Sequence, residues 1–537
     1  MTDEFSPDER ALLAPYFTNL DRPVFALVNL PEVVKGALFA RYSRSPKSLR
    51  RLFLDEFLTG DVGLTRPETA FDTRRAEQLY ERVFVEYGDD SVAQLGGVHL
   101  ACEGASNILT KVLEWGRLMA YLEQSTRYIP YDDRPGGRYR YHVPAELTGT
   151  LRARYVDALD HAFDVYRAWL PRMRAFYEAR HPREAAESDG VYRMTIRAKA
   201  LDTLRGLLPA ATSSNVGIYG TGQAYEQLLL RMRAHPLAEV RAGADLMLVE
   251  LRKVIPAFLK RVDLPERGGA WSAYLAETRA ATAAVAARTL ATPEAAAARA
   301  LDSRTGDEPE VALTDFDPDG EVKVVAAALY AATDRPDHEL LAIARALTPA
   351  QRAEVLRAYV GRRGNRRHRP GRAFERTAYR FDVLGDYGAF RDLQRHRLLT
   401  LEWQRLSPHH GWRMPEAVDE AGGAAEWRAV MDGAAEAHDA IVAAGLPEVA
   451  PYAVAMAYRV RFYMDMNARE AMHLIELRTT PQGHASYRRV GQAMHRLIAE
   501  HAGHRAIAAA MSFVDHSEVA LERLEAERAA ERRRARP

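Results

Sequence analysis

Cysteine is almost absent: Cys102 is the only one in 537 residues. A lone thiol excludes an intrachain disulfide framework and a Cys-rich zinc site, and it fits a reducing compartment. A surplus of charge is missing too. Lys and Arg number 74 against 73 Asp and Glu, a formal net charge of +1. No global field therefore draws the chain to nucleic acid or to a membrane, and any polyanion must bind at a local cluster. No apolar run reaches the roughly eighteen residues that a membrane span needs. The acidic start, "MTDEFSPDERALLAP", lacks the basic-then-apolar pattern of a signal peptide. These absences predict a soluble, cytoplasmic protein. The remaining composition, 47% hydrophobic and 27% charged, is that of a globular chain, and its length calls for two or more domains.

The two halves echo each other. An Ala-rich, then acidic and Pro/Gly-containing stretch at 286–320 reads as a linker. On either side, "ALFARYSRSP" (37–46) corresponds to "ALYAATDRP" (328–336), and "WGRLMAYLEQS" (115–125) to "RHRLLTLEWQR" (395–405). Further on, "RGLLP" (205–209) corresponds to "AAGLP" (443–447), and "QLLLR" (227–231) to "LIELR" (474–478). Four matches in one order indicate a diverged tandem duplication: repeat 1 over 1–285, repeat 2 over 321–520, and a basic tail over 521–537. Helical periodicity dominates, including 74–87, 101–122, 388–404 and 452–478. Strand-like alternation is confined to short stretches such as "YRFDVL", 379–384. The predicted fold class is mainly α with small β-sheets, an α+β chain of two fused repeats.

One stretch raises a chemical question. In "EWGRLMAYLEQSTRY" (114–128), Trp115, Leu118, Met119 and Leu122 carry the spacing of a buried helical stripe. Glu123, Gln124, Ser125, Arg127 and Tyr128 then follow with scarcely an apolar break. Arg395-His396-Arg397 resembles the R-H-R that opens the signature R-H-R-x-x-S-x-x-x-x-S-x-R of flavin-dependent thymidylate synthases (the ThyX type), and Glu123 to Tyr128 resembles its E-Q-S-x-R-Y end. "FERTAYRFDV" (374–383) is similar to the family's E-H-x-x-F-x-F, "LRGLLP" (204–209) to A-R-x-x-L-P, and "NAREAMHLIELR" (467–478) to N-x-R-x-L-x-x-F-L-x-L-R. The resemblance covers roughly 88–262 and 322–511.

The resemblance implies roles. Arg395, His396 and Arg397 would hold FAD, with Asn467, Arg469 and His473 as further flavin contacts and Arg117 as the repeat-1 equivalent. Glu123, Gln124, Ser125, Thr126, Arg127 and Arg205 would grip the phosphate and sugar of deoxyuridylate, with Arg231 and Arg395 as further substrate contacts. Arg478 would face the uracil and favour its N3-deprotonated form. NADPH and methylenetetrahydrofolate would be co-substrates. Arginine suits both anions, because its planar fork donates paired, charge-assisted hydrogen bonds. Family sites are shared between subunits of a tetramer, so the tandem chain is expected to form a homodimer, a pseudo-tetramer with a composite site.

The sequence also departs from the family. Repeat 1 has Trp115-Gly116-Arg117 in place of R-H-R. Repeat 2 has Trp403, Gln404, Arg405 and Ser407 in place of E-Q-S and R. Alternatives are therefore an inactive flavin- or nucleotide-binding homologue, a methylase of another uridine nucleotide, or an RNA-associated helical protein using "RRGNRRHRPGR" (362–372). That cluster reads equally as an exposed loop. His409-His410 lacks acidic partners at helical spacing, so no metal is assigned. Cys102 reads as a buried packing residue.

Overall fold

The computed structural model describes residues 4–23, 25–42, 45, 47–58, 94–183, 188–295 and 309–517. The expected helix at 74–87 and the basic tail at 521–537 lie outside them. Two compact units are present. The first is formed by 1–103, 116–123 and 215–300, the second by 104–115, 124–214 and 301–537. The division does not follow the 286–320 stretch: residues 124–214, from the first repeat, fold into the second unit. The stretch itself includes a strand, Val311–Phe316.

The first unit carries a three-stranded sheet of β1 (Gly97–Ser106), β2 (Met119–Glu123) and β3 (Ser213–Thr221), in the order β1-β3-β2. The second carries a four-stranded sheet of β4 (Val311–Phe316), β5 (Ala378–Asp386), β6 (Thr400–Trp403) and β7 (Arg459–Asn467), in the order β4-β5-β7-β6 with every pair antiparallel. With helices making up most of the remainder, the chain is α+β, as its patterning predicts.

The same local grammar is written four times. β1, β3, β5 and β7 each run directly into a helix through a side-chain N-cap: Ser106, Thr221, Asp386 and Asn467. Each cap is extended and accepts the amide of the residue three further on, satisfying a donor the first helical turn leaves open. A β strand thus ends and a helix starts within one residue.

That grammar overturns three expected helices. Residues 101–122 are the end of β1, the short helix Asn107–Leu113 and most of β2. Residues 388–404 are the helix Tyr387–Leu393 followed by β6, and 452–478 are β7 followed by the helix Ala468–Arg478. Leu118 and Leu122, assigned to the buried stripe, are 66% and 81% exposed. The five polar side chains after Leu122 are therefore a strand end and a turn, in which the Tyr128 and Ile129 amides both donate to the Ser125 carbonyl. In β7 the period of two is explicit, with Val460, Phe462, Met464 and Met466 buried between half-buried neighbours. The expected strand at 379–384 is β5, where Tyr379, Phe381 and Val383 are fully buried.

The core of the second unit joins β5 and β7 to three helices: Gly149–Arg180, Asp189–Leu204 and Ala424–Ala443. Two glycines permit the packing. A Cβ on Gly206 would lie 2.8 Å from the Trp427 ring, and one on Gly423 would lie 2.7 Å from the Trp169 ring. Backbone pairing then locks 206–211 against 452–457. Ala210 N donates to the Val454 carbonyl (2.8 Å), Met456 N to that of Leu208 (2.9 Å) and Ala457 N to that of Gly206 (2.9 Å).

Candidate functional site

The pairing just described carries Arg205, one residue before Gly206, to the helix Tyr387–Leu393. There Arg205 Nη1 donates to Asp392 Oδ2 at 3.2 Å. Burial opposes ionisation of Asp392, but the charges of Arg205, Arg395, Arg478 and Arg127 outweigh it and hold the carboxyl well below the usual carboxylate range. Four of the arginines singled out in the sequence thus surround a carboxylate that was not. Arg127 has its own partner. Its Nε and Nη2 clasp Asp202 at 2.6–2.9 Å, while Nη1 donates to the Tyr487 hydroxyl (3.2 Å) and Nη2 to the Gln482 carbonyl (2.9 Å). Four guanidinium groups against Asp202 and Asp392 leave a local surplus of two positive charges.

Arg478 is aimed by a relay. Its Nε donates to His396 Nε2 at 3.0 Å, so the ring proton is on Nδ1, which faces Glu470 Oε1 at 3.0 Å. Burial, reinforced by Arg478 and Arg369, pushes His396 well below its ordinary value and keeps the ring neutral. His473 is pushed down to about 4, chiefly by burial, and its Nδ1 accepts from Arg369 Nη2 at 2.8 Å. The ligand atoms of His396, Glu470 and His473 lie within 4.8 Å of one another. A metal needs imidazole lone pairs, however, and guanidinium N–H groups take one on each ring. We read the trio as a positioning relay.

The remaining candidates are spread more widely. Arg395 is about one-third exposed with Nε 3.8 Å from Glu114, and Arg397 is exposed. The Asn467 side chain is used as a cap, and Arg469 donates to the Pro370 carbonyl and to Glu375. Thr126 is buried, the Ser125 hydroxyl accepts the Arg127 amide, and the Gln124 carbonyl faces Ser214 Oγ at 3.5 Å. Arg117, Glu123 and Arg231 belong to the first unit. Two alignments between the repeats also need correcting. Thr221 and Asn467 cap their helices identically, which places Leu477, not Arg478, opposite Arg231. Pairing of Pro209 with Ala455, each four residues before β3 or β7, likewise puts Pro451 rather than Ala443 opposite Arg205.

The Arg-rich stretch 362–372 is not simply a solvated loop. Arg363 makes a two-pronged ion pair with Glu476, Nη1 to Oε1 and Nη2 to Oε2 each at 2.6 Å, with side chains only 3% and 1% exposed. This pins the loop so that Arg369 reaches His473. Arg366, Arg367 and Arg369 form no ion pair among the described residues. Cys102 is half-buried, not enclosed as expected, and burial pushes its thiol up to about 11, so it is not a reactive nucleophile.

A cavity of about 760 Å³ opens behind Arg205, with Lys199, His484 and Arg489 among its walls. Arg205 stands out in the sequence, and Arg369 only as a member of the 362–372 cluster, whereas Asp392, Asp202, Glu470, Tyr487 and Lys199 do not. Only Asp392 left a signal, since in "RDLQRHR" it stands three residues, about one helical turn, before Arg395.

Fold and site together define an α+β chain whose arginines converge, with internal carboxylates, on one anion-attracting centre. The sequence matches Thy1, the thymidylate synthase complementing protein family, in two segments, 40–257 and 312–502, and the chain belongs to that family. It is 37% identical over 531 residues to a UPF0159 protein of Chlamydia pneumoniae, with 98% of each chain covered. It is 30% identical over 519 residues to a UPF0159 protein of Thermoplasma acidophilum, covering 92% of this chain and 97% of the relative. A flavin-dependent thymidylate synthase of a Mycobacterium species is 29% identical over 182 residues, 33% of this chain and 67% of that protein. No helix among the described residues is long and apolar enough to cross a membrane.

Proposed function

We propose that the protein is a flavoenzyme that methylates C5 of deoxyuridylate, using methylenetetrahydrofolate as one-carbon donor and NADPH as reductant. One observation carries the reading: Arg127 and Arg205, which the resemblance assigns to the nucleotide phosphate, surround Asp392 together with Arg395, from the R-H-R triplet, and Arg478, assigned to the uracil. The surplus of two positive charges suits a phosphate dianion, and Arg205 Nη2 is buried without a hydrogen-bond partner to receive one of its oxygens. The residues present also fit a flavin dinucleotide. Arg395 and Arg397 would hold its diphosphate, joined by Arg369, which forms no ion pair among the described residues.

FAD, when bound and reduced, would supply the hydride that completes the methyl group. The chain's own residues supply position and charge. Arg478, fixed by the neutral His396, presents a guanidinium that favours loss of the N3 proton from uracil and so enriches electron density at C5. Arg127 and Arg205 fix the phosphate, which sets the distance from the pyrimidine to the flavin. No protein nucleophile is required. We infer further that two chains pair into a pseudo-tetramer in the cytoplasm, which light scattering at the mass of a dimer would support.

Two measurements test the function. Protein purified without added cofactor should show the yellow absorbance bands of flavin, and Arg397→Ala should lose them while staying folded. With flavin present, tritium should be released from [5-³H]dUMP in a folate-dependent manner. Arg127→Ala should weaken dUMP binding by about 2 kcal/mol, the scale of a sheltered charged hydrogen bond, and leave flavin content unchanged. Colourless protein that takes up no added FAD would refute the reading. Yellow protein without tritium release would favour a binding role or another uridine nucleotide.

A further inference from the structure

The residues from Arg362 to Arg376 include seven arginines and one acid, Glu375, in a chain whose overall charge is nearly balanced. Arg363 is neutralised by Glu476, and Arg372 shares Glu375 with Arg469. Arg362, Arg366, Arg367, Arg369 and Arg376 form no ion pair among the described residues. A flavin diphosphate carries only two negative charges, which Arg395, Arg397 and Arg369 already exceed. The guanidinium groups of Arg362, Arg366, Arg367 and Arg376 are therefore surplus to that site. Arg366 is half-buried and the other three are exposed.

Like charges along one stretch repel and normally leave it without fixed structure. This stretch is braced instead. At its base the Tyr359 hydroxyl accepts the Ala373 amide (3.1 Å), and Gly371 leaves no room for a Cβ beside that hydroxyl. Further out, Arg363 Nε donates to the His368 carbonyl (2.6 Å), His368 Nδ1 accepts the Gly364 amide (3.1 Å) and Asn365 Oδ1 accepts the Arg367 amide (2.9 Å). The Glu476 pair fastens this frame to the helix Ala468–Arg478. Holding four unbalanced cations together costs free energy that a bound polyanion offsets, and the fixed frame lowers the entropy lost when one binds.

We propose that the stretch 362–376 is a docking surface for a single-stranded nucleic acid, whose successive phosphates meet Arg362, Arg366, Arg367 and Arg376. The planar guanidinium fork matches a phosphate and donates two bonds to it. A lone nucleotide or a diphosphate offers too few charges for four separate arginines. A phosphodiester strand carries one on its backbone at every nucleotide, which suits a short stretch dense in fixed cations better than carboxylates on the ends of separate side chains. The proposal does not rest on methyl transfer or on flavin binding.

The probe is a fluorescently labelled oligocytidylate of roughly twenty nucleotides, longer than a typical single-strand site. Cytosine is neither the base of dUMP nor part of FAD. Anisotropy should report binding whose affinity falls about fiftyfold between about 50 and about 200 mM salt, the slope expected when four phosphates of a single strand are neutralised. In the double variant Arg362→Ala, Arg367→Ala the fall should shrink to about sevenfold, since two phosphate contacts are gone. Its urea-unfolding midpoint should be unchanged, because both side chains are exposed. Excess FAD should leave the strand bound. No binding at about 50 mM salt, an unchanged salt dependence in the double variant, or equal affinity for polyglutamate of the same length would overturn the proposal. So would displacement of the strand by FAD, because the strand would then occupy the flavin site. Colourless protein that still binds the strand would refute the flavin reading alone, so the two failures are distinct.

Discussion

Glu476→Ala should destabilise the fold by about 3–5 kcal/mol, the cost of stranding a buried charge by deleting its partner. Arg363 would be the stranded group. Its Nη1 also donates to the Ala510 carbonyl (2.9 Å) and its Nε to that of His368 (2.6 Å), so the guanidinium cannot swing out to water without dismantling the loop. Glu476 also accepts the Phe513 amide at 3.3 Å, which ties a second segment to the same pair. The converse variant, Arg363→Met, should cost less, because a buried carboxyl can take up a proton where arginine cannot lose one. Urea unfolding of both single variants and the double variant would measure the coupling. A loss below about 1 kcal/mol for Glu476→Ala, the range of exposed ion pairs, would show that the pair opens to solvent. The loop would also lose its hold on Arg369, so flavin affinity should fall alongside stability.

The second large effect concerns Asp392 and acid. Its carboxyl is held down by four arginines, and Asp202 is held down by Arg127. For such groups the unfolded chain binds protons more readily than the folded one. Their contribution is therefore complete above the unfolded carboxyl pKa, about 4, and is lost as pH falls below that. The wild-type midpoint for urea unfolding should drop steeply below pH 4. Asp392→Asn should be less stable at pH 7 and show a flatter acid limb; a parallel acid limb would mean that Asp392 does not interact with the cluster. The same variant raises the local surplus from two positive charges to three. Binding of dUMP or inorganic phosphate should then tighten by about tenfold, as one more unbalanced charge a few ångströms away would produce in a partly screened site. Weaker binding would instead assign Asp392 to orienting Arg205 for the ligand.

How much of this was legible beforehand depends on how far apart the partners lie. The family resemblance, the α+β class, the echo between halves and the identities of Arg127, Arg205, Arg395 and Arg478 all follow from the order of residues along the chain. So does the strand at 379–384, because its alternation is local. The helices expected at 101–122, 388–404 and 452–478 failed for a local reason of another kind. A strand that passes into a helix at a single capping residue presents two periods in one continuous apolar run, and Leu, Met, Ala and Arg satisfy either. Only hydrogen-bonded neighbours, such as Met464 facing both Phe381 and Leu401, select the strand.

The sequence by itself determined which side chains can bind anions. Tertiary structure decided what each of them faces. Arg127 meets Asp202 across 75 residues, Arg478 meets His396 across 82, Arg363 meets Glu476 across 113 and Arg205 meets Asp392 across 187. A guanidinium that can serve equally as a structural ion pair, a positioning group or a phosphate ligand is assigned among those roles by the charge and burial of its neighbours, and both are set by contacts between segments that sequence periodicity does not couple.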